Sequence, residues 1–412
     1  MSSTSITLTR KFSLFESIFI RIFDQMPLGK LQVELPDGRK YFFGNGEGQR
    51  ANIRVNNSEF FSKCALYGDV GFAESYMAGD WNTDSIADVV SWFILNIDHC
   101  AVLTGKGIRK YVSNLLHGAN KLYHLTRRNT VEGSRKNISE HYDLGNDFYS
   151  LFLDQTMTYS SGIFRTPETS LEEAQFEKYD RLCRNLSLQS TDHLLEIGSG
   201  WGGMAIHAAK NYGCRVTSVT ISAEQFRFAK ERVAKEGLDH LVEISLQDYR
   251  HITGLFDKIV SIEMLEAVGH EYIRGYFSKC NGLLKPNGLM AIQVITSQDK
   301  RYREFRKSVD FIQKHIFPGS QTPSMSYIQE CVTKATDWNL HDVKDIGVDY
   351  ARTLRLWYDA FNERLDDVMK LGMDDMFIRK WNYYLQYCEA AFATRHITVK
   401  QLVFARPYPI TD

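Results

Sequence analysis

The stretch HLLEIGSGWGGMAIHAAKNYGCRVTSVT, residues 193–220, decides the fold. It opens with a short apolar run, passes through a glycine-rich turn, continues with a helical spacing of alanines and aliphatics, and closes on a second β-branched run, which together read as strand, turn, helix, strand. Gly198 and Gly200 sit where a strand ends and a helix begins, so backbone angles closed to other residues are available and a ligand can approach the main chain. A dinucleotide site would want an acid at the end of the second strand to hold ribose hydroxyls, but that strand ends in Thr220-Ile-Ser. Glu196 followed by the GxGxG spacing suits S-adenosylmethionine instead, which has no pyrophosphate to place on a helix N-terminus.

Outward from this stretch the alternation continues. LVEISL (241–246), DKIVSIE (257–263) and GLMAIQVI (288–295) read as strands, and the segments AEQFRFAKERVAKEG (223–237) and YIRGYFSKCNGLL (272–284) as helices. Such alternation predicts an α/β fold with a doubly wound, mostly parallel sheet and ligands at the strands' carboxyl ends. Residues 298–337 interrupt it; HDVKDI (341–346), helices over 351–371 and 374–394, and the strand TVKQLVFA (398–405) complete it.

The N-terminal part reads differently. Phe12, Phe15, Phe19, Ile22, Phe23 and Met26 recur at helical spacing, a stripe that fits packing against its own domain better than a membrane surface because few basic residues flank it. Short strands follow, KLQVEL, KYFF and ANIRV, separated by the PDG turn at 36–38 and a glycine-rich turn at 44–48. Residues 57–98 read as helices, with Asn82, Thr83 and Asp84 as the cap before IADVVSWFIL. From Asp98 to Glu132 no acid occurs, while Lys106, Arg109, Lys110, Lys121, Arg127 and Arg128 gather beside Ile108, Tyr111, Val112, Leu115 and Leu122, a composition that fits anionic lipid as well as a solvated helix face. The polar stretch RRNTVEGSRKNISE reads as a linker. The expected organisation is therefore a small α+β domain over 1–126, a linker over 127–140 and an α/β domain over 141–412.

Lys and Arg number 49 against 50 Asp and Glu, a net charge of -1, so no global cationic field favours nucleic acid. No apolar run reaches the roughly 18–20 residues of a spanning helix and the N-terminus carries no cleavable leader, so a cytoplasmic protein is expected. Seven scattered cysteines suit reduced core thiols, not disulfides or a zinc site.

The strings HYDLGNDFYSLFLD (141–154), MTYSSGIF (157–164), LLEIGSGWGG (194–203), VTSVTISAEQ (216–225), LQDYR (246–250), FDKIVSIEMLEAVG (256–269) and DFIQKHIFPG (310–319) resemble, in order and spacing, the cyclopropane-fatty-acyl-phospholipid synthase family. LPDG (35–38) and GDVGFAESYMAGDW (68–81) resemble its small lipid-facing domain. The resemblance implies a Rossmann-like class I methyltransferase domain with S-adenosylmethionine as cofactor, contacted by Tyr159, Ser160, Glu196, Gly198, Gly200, Thr220 and Gln225, with Gln247, Asp248 and Tyr249 at the adenine end.

The reaction it implies transfers a methyl cation to a cis double bond of a phospholipid acyl chain, and the resulting carbocation loses a proton as a ring closes. It also implies a bound bicarbonate as base, held by a Cys, a Glu, a His and a Tyr. Glu266 and Tyr350 match that set, whereas Ser161 stands at the Cys position and Gln293 at the His position. Ser and Gln can hydrogen-bond an anion, but neither has an imidazole's proton chemistry. Cys388 falls where some members carry a cysteine once suspected of catalysis, although an inert buried thiol is the favoured reading because the mechanism needs no thiolate and no basic neighbour is evident, and His141 either orients the substrate head or braces its loop. Expected partners are an unsaturated phospholipid at the inner membrane face, a reductase if the product is a methylene chain bound for a methyl branch, and a second copy of the chain. A small-molecule N-methyltransferase and a non-catalytic lipid carrier are the rival readings.

Overall fold

The computed structural model describes residues 14–99, 133 and 144–407. Cys100, the basic segment 106–128, the linker over 127–140 apart from Gly133, and His141 lie outside the described residues. The chain divides into two compact units, Met1–Gly118 and Ala119–Asp412, and the expected boundary at 126 falls outside the described residues.

In the first unit the aromatic stripe forms α1 (Leu14–Phe23), with Phe19, Phe23 and Met26 buried. Strands β1 (Lys30–Glu34), β2 (Lys40–Phe43), β3 (Arg50–Val55) and β4 (Trp81–Asn82) form one sheet in the order β2-β1-β3-β4. The β1–β2 hairpin turns at Gly38, whose φ of 84° is one that glycine adopts without a Cβ penalty. Helices α2 (Glu59–Met77) and α3 (Ile86–Asn96) cover the sheet. Phe19 meets Phe23, Phe60 and Phe61, and Phe23 meets Trp92, so the stripe is spent on its own core, as expected. One expectation is corrected: the cap of α3 is Ser85, whose hydroxyl accepts from the Asp88 N–H, while Asp84 turns to Asn52 and Arg54. Asn82, expected in the cap, instead pairs with Arg54 across β3 and β4.

Among the described residues of the second unit, α4 (Asn146–Ser150) is followed by α5 (Leu171–Asn185), which starts at a capping box of Ser170 and Glu173. The alternation follows as read: β5 (His193–Ile197), α6 (Gly203–Tyr212), β6 (Arg215–Thr220), α7 (Ala223–Lys235), β7 (Val242–Leu246), β8 (Phe256–Ile262), α8 (Ile273–Leu283) and β9 (Leu284–Ser297). The interruption holds α9 (Asp299–Phe305), α10 (Phe311–His315) and α11 (Met325–Ala335). Then come β10 (Asn339–Asp345), α12 (Gly347–Glu363), α13 (Leu365–Lys370), α14 (Asp375–Ala393) and β11 (Ile397–Ala405). The helix expected over 351–371 is thus two, parted at Arg364, and the first starts at Gly347.

The sheet order is β10-β11-β9-β8-β5-β6-β7, with β9-β8-β5-β6-β7 parallel and β11 antiparallel to both neighbours. Central β5 is buried on both faces: Leu195 and Ile197 join Tyr276, Phe277 and Val332 of α8 and α11, while Leu194 joins Leu182, Met204 and Val233 of α5, α6 and α7. Edge strand β10 instead alternates exposed and half-buried residues and carries Asp342, Lys344 and Asp345, charges that discourage further pairing. Chain order reverses between β5 and β8, which puts the crevice for a ligand at the carboxyl end of β5.

Candidate active site

The loop after β5 stands at that crevice. The Gly198 and Ser199 N–H groups both donate to the Val219 carbonyl, at 2.9 and 3.0 Å, and pin the turn to β6. Gly198 has φ 97°, and a Cβ there would stand 3.3 Å from Met264 Cγ. Gly200 has φ 49° and nothing within 4 Å of where a Cβ would be, so its main chain borders open space. Arg232 Nη1 ties this loop to the segment before it by donating to the Thr156 and Trp201 carbonyls, each at 2.9 Å.

Beyond β6, Thr220 Oγ1 donates to Gln225 Oε1 at 2.9 Å and accepts the Ser222 N–H at 3.1 Å. The Gln247 N–H donates to the Thr220 carbonyl, which brings the end of β7 alongside. Burial raises the Asp248 carboxyl, but Arg250 donates to it through Nε, Nη2 and its backbone N–H and brings it below the ordinary range. Tyr249 meets Tyr276 edge-on at 5.3 Å. Tyr249 and Arg250 also line a cavity of about 590 Å³ with Glu271, Arg274 and Lys334, whose charged wall is unsuited to an acyl chain. Glu196 is turned into the sheet: Oε2 accepts the Ser218 hydroxyl, and burial pushes the carboxyl up to about 8.

On the other side of the glycine loop, residues from six elements or their flanks meet. Glu263, directly after β8, accepts at Oε1 the Ser161 N–H at 3.0 Å and Gln293 Nε2 at 2.8 Å, and the Tyr350 phenol lies near enough to influence its carboxyl. Its own N–H donates to the Gln293 carbonyl at 2.7 Å, and its φ of 48° is uncommon for a residue with a side chain. Gln293 Nε2 also reaches the Ser161 carbonyl at 3.1 Å, and Gln293 Oε1 accepts Gln401 Nε2 at 2.9 Å. Gln401 in turn accepts Arg181 Nη1 at 2.7 Å, and Arg181 is anchored on Asp342. This chain of donors fixes which end of the Gln293 amide faces Glu263.

Lys178 of α5 is fully buried and donates from Nζ to Ser160 Oγ at 2.7 Å; burial lowers it to about 7, although Glu263, Asp154 and Glu196 oppose the shift. Burial raises the Glu263 carboxyl, against the pull of Gln293, Ser161, Lys178 and Tyr350. Glu266 is pushed up to about 8 by burial and by repulsion from Glu263; its Oε1 accepts the Ile295 N–H, and its buried Oε2 has no protein partner. Tyr159 stacks on Trp357 at 5.2 Å and 29°, its hydroxyl 2.8 Å from that of Tyr384, and Tyr350 stacks on Phe392 at 4.5 Å. The cluster is thus a buried, aromatic-lined region holding carboxyl groups. Burial pushes the Cys388 thiol well above its usual range, so it is not poised as a thiolate.

The structure therefore gathers Ser160, Ser161, Glu266, Gln293 and Tyr350, and sets Tyr159 and Tyr384 beside them. Sequence reading missed Glu263, Lys178 and Gln401. Glu263 lies three residues before Glu266, a second acid at a strand end, and that doubling was the available signal. Gln401 becomes visible only with the β9–β11 register, which pairs it with Gln293.

Residues 129–402 match the family model for mycolic acid cyclopropane synthetase. The chain is 40% identical over 354 residues to the tuberculostearic acid methyltransferase UfaA1 of Mycobacterium tuberculosis, covering 83% of this chain and 80% of the relative. It is 35% identical over 388 residues to the cyclopropane-fatty-acyl-phospholipid synthase of Escherichia coli K12, covering 91% and 96%. Among solved structures, the mycolic acid cyclopropane synthase CmaA1 complexed with SAH and CTAB superposes with a TM-score of 0.62 at 31% identity, over 66% of this chain and 98% of that one. The chain belongs to the mycolic acid cyclopropane synthetase family and is an S-adenosylmethionine-dependent methyltransferase that modifies lipid acyl chains.

Proposed function

We propose that the enzyme alkylates the cis double bond of an unsaturated acyl chain in a phospholipid at a membrane surface, and that the cation so formed loses a proton to give a cyclopropane. The observation that carries this reading is the adjacency, at one end of one sheet, of open main chain at Gly200 and the buried aromatic and carboxyl cluster around Tyr159 and Tyr350, linked by the Trp201–Tyr149–Tyr159 ring contacts. The residues suit S-adenosylmethionine: Gly198 and Gly200 leave room at the backbone, Thr220 and Gln225 offer hydroxyl and amide groups to a ribose, and Gln247, Asp248 and Tyr249 border an adenine. Tyr159 and Ser160 would hold its other end. When bound, it supplies an electrophilic methyl group. The chain's own part is to exclude water, to place aromatic faces of Tyr159, Tyr350 and Trp357 where positive charge develops, and to accept a proton.

The expected bicarbonate does not fit. Its donors would include the Ser161 N–H and Gln293 Nε2, and Oε1 of Glu263 already takes both. A second anion there would meet Glu263 and Glu266 in a low-dielectric setting where, among the described residues, Lys178 alone opposes the negative charge.

A second reading gives a methylene chain, which a partner reductase would convert to a methyl branch. The altered proton-accepting group favours it, as does 40% identity to a relative named for tuberculostearic acid. Incubation with S-adenosylmethionine and vesicles of mixed unsaturated phospholipids, followed by mass spectrometry of the fatty acyl esters before and after mild hydrogenation, tests both. Ring and methylene products have equal mass, but only the methylene takes up two hydrogens; no mass gain on any acyl chain would refute the reading. No described helix is long and apolar enough to cross a membrane, so access to lipid would be from the surface.

A further inference from the structure

We propose that Glu263 is the base of this reaction, a carboxylate built into the chain in place of a diffusible anion. The inference rests on the lipid-alkylation reading above. The need for a base is chemical: once the π electrons have formed the bond to the transferred methyl carbon, the neighbouring carbon is left electron-poor, and charge balance requires a proton to leave. In ring closure Glu263 takes that proton from the transferred methyl group, and the C–H electron pair forms the third bond of the ring. In the methylene route a hydride first shifts with its electron pair to the adjacent cationic carbon. The charge then rests on the carbon bearing the methyl group, and Glu263 takes a proton from that same methyl as the C–H pair becomes the double bond. One carboxylate at one place serves either outcome, with no external oxidant or reductant.

The geometry separates the two carboxyl groups by role. Glu263 accepts a backbone N–H and an amide at Oε1, and the Lys178 amine and Tyr350 phenol lie close to it; Glu266 accepts one backbone N–H and is repelled by Glu263. Two adjacent buried carboxyls do not both ionise, and the one with more donors carries the charge. Glu263 is therefore the carboxylate and Glu266 the acid, and Gln293, as an amide donor, suits a resident carboxylate without titrating itself. Glu263 also holds a positive φ, a strained conformation kept where the surroundings over-determine it. That φ makes glycine a compatible replacement, which would leave a carboxylate-sized space lined by the Ser161 N–H and Gln293 Nε2.

The test compares wild type, Glu263→Gln and Glu263→Gly on vesicles of unsaturated phospholipid with S-adenosylmethionine, in buffer stripped of bicarbonate and again with bicarbonate or formate added. Wild-type turnover is expected to ignore both additions. Glu263→Gln is expected to lose about a hundredfold or more, the range of a general base, with S-adenosylmethionine affinity by calorimetry unchanged. Glu263→Gly, with the same affinity, is expected to be equally slow and to recover at least tenfold with formate or bicarbonate. Wild-type product that depends on added bicarbonate, or Glu263→Gln within about threefold of wild type, would overturn the assignment and leave the lipid reading intact. Wild type that binds S-adenosylmethionine yet alkylates no acyl chain would overturn both.

Discussion

Replacing Gln293 with Leu removes one donor from Glu263 and changes little else in volume. The lost bond is charge-assisted, 2.8 Å from Nε2 to Oε1, and hydrogen bonds to charged groups contribute about 1.5–3 kcal/mol. At about 1.36 kcal/mol per pKa unit, the Glu263 carboxyl should rise by roughly one to two units. The groups that still face it are the Ser161 N–H, Tyr350, Lys178 and Glu266. A base works while ionised, so the sign is fixed: the low-pH limb of the rate profile should move to higher pH by the same one to two units. The substitution also strands Gln401 Nε2, a buried donor, at about 1–3 kcal/mol of stability. Single-turnover product formation at saturating S-adenosylmethionine, followed from about pH 5 to 9, reads the limb, and thermal melting reads the stability. Gln401→Leu supplies the control, since it strands Gln293 Oε1 and should lower the melting temperature similarly while moving the limb less. A Gln293→Leu enzyme that turns over with an unmoved limb would refute the claim that this amide tunes the base.

Three other outcomes are expected. Gly200→Leu should cost roughly 1–2 kcal/mol for a left-handed non-glycine residue and should weaken S-adenosylmethionine binding at least tenfold by calorimetry, because the side chain enters the open space beside the loop; unchanged affinity would remove the loop from the binding site. Burial pushes the folded Glu196 carboxyl up to about 8 from the ordinary glutamate range, so its contribution is fully present at low pH and is lost as pH rises through that window. The melting temperature of Glu196→Gln relative to wild type should therefore climb between about pH 5 and 7, below the point where Lys178 begins to act with the opposite slope; a flat difference would show that Glu196 titrates normally. Changing Lys106, Arg109 and Lys110 together to Ser should reduce flotation with anionic vesicles at low salt and matter less near 1 M, where the Debye length is about 3 Å; equal flotation would leave those residues as a solvated face.

Local sequence determined the strand-turn-helix at 193–220 and the alternation after it, because a strand buried on both faces must be a continuous apolar run and the glycine turn between elements admits few other residues. It also determined the aromatic stripe of α1, whose spacing alone places Phe19 and Phe23 on one face. The α3 cap was misplaced by one to three residues, since Asn82, Thr83, Asp84 and Ser85 all carry capping side chains and only the fold spends Asp84 on Arg54. At the site, Ser161, Gln293, Glu266 and Tyr350 were legible from their motifs, yet the motifs are silent about which carboxyl faces the donors. That was decided by tertiary structure: 102 positions separate Ser161 from Glu263, and 108 separate Gln293 from Gln401. A hydrogen bond depends on distance and direction in space, which strand order and register set, and no local pattern records the partner that folding brings within 3 Å.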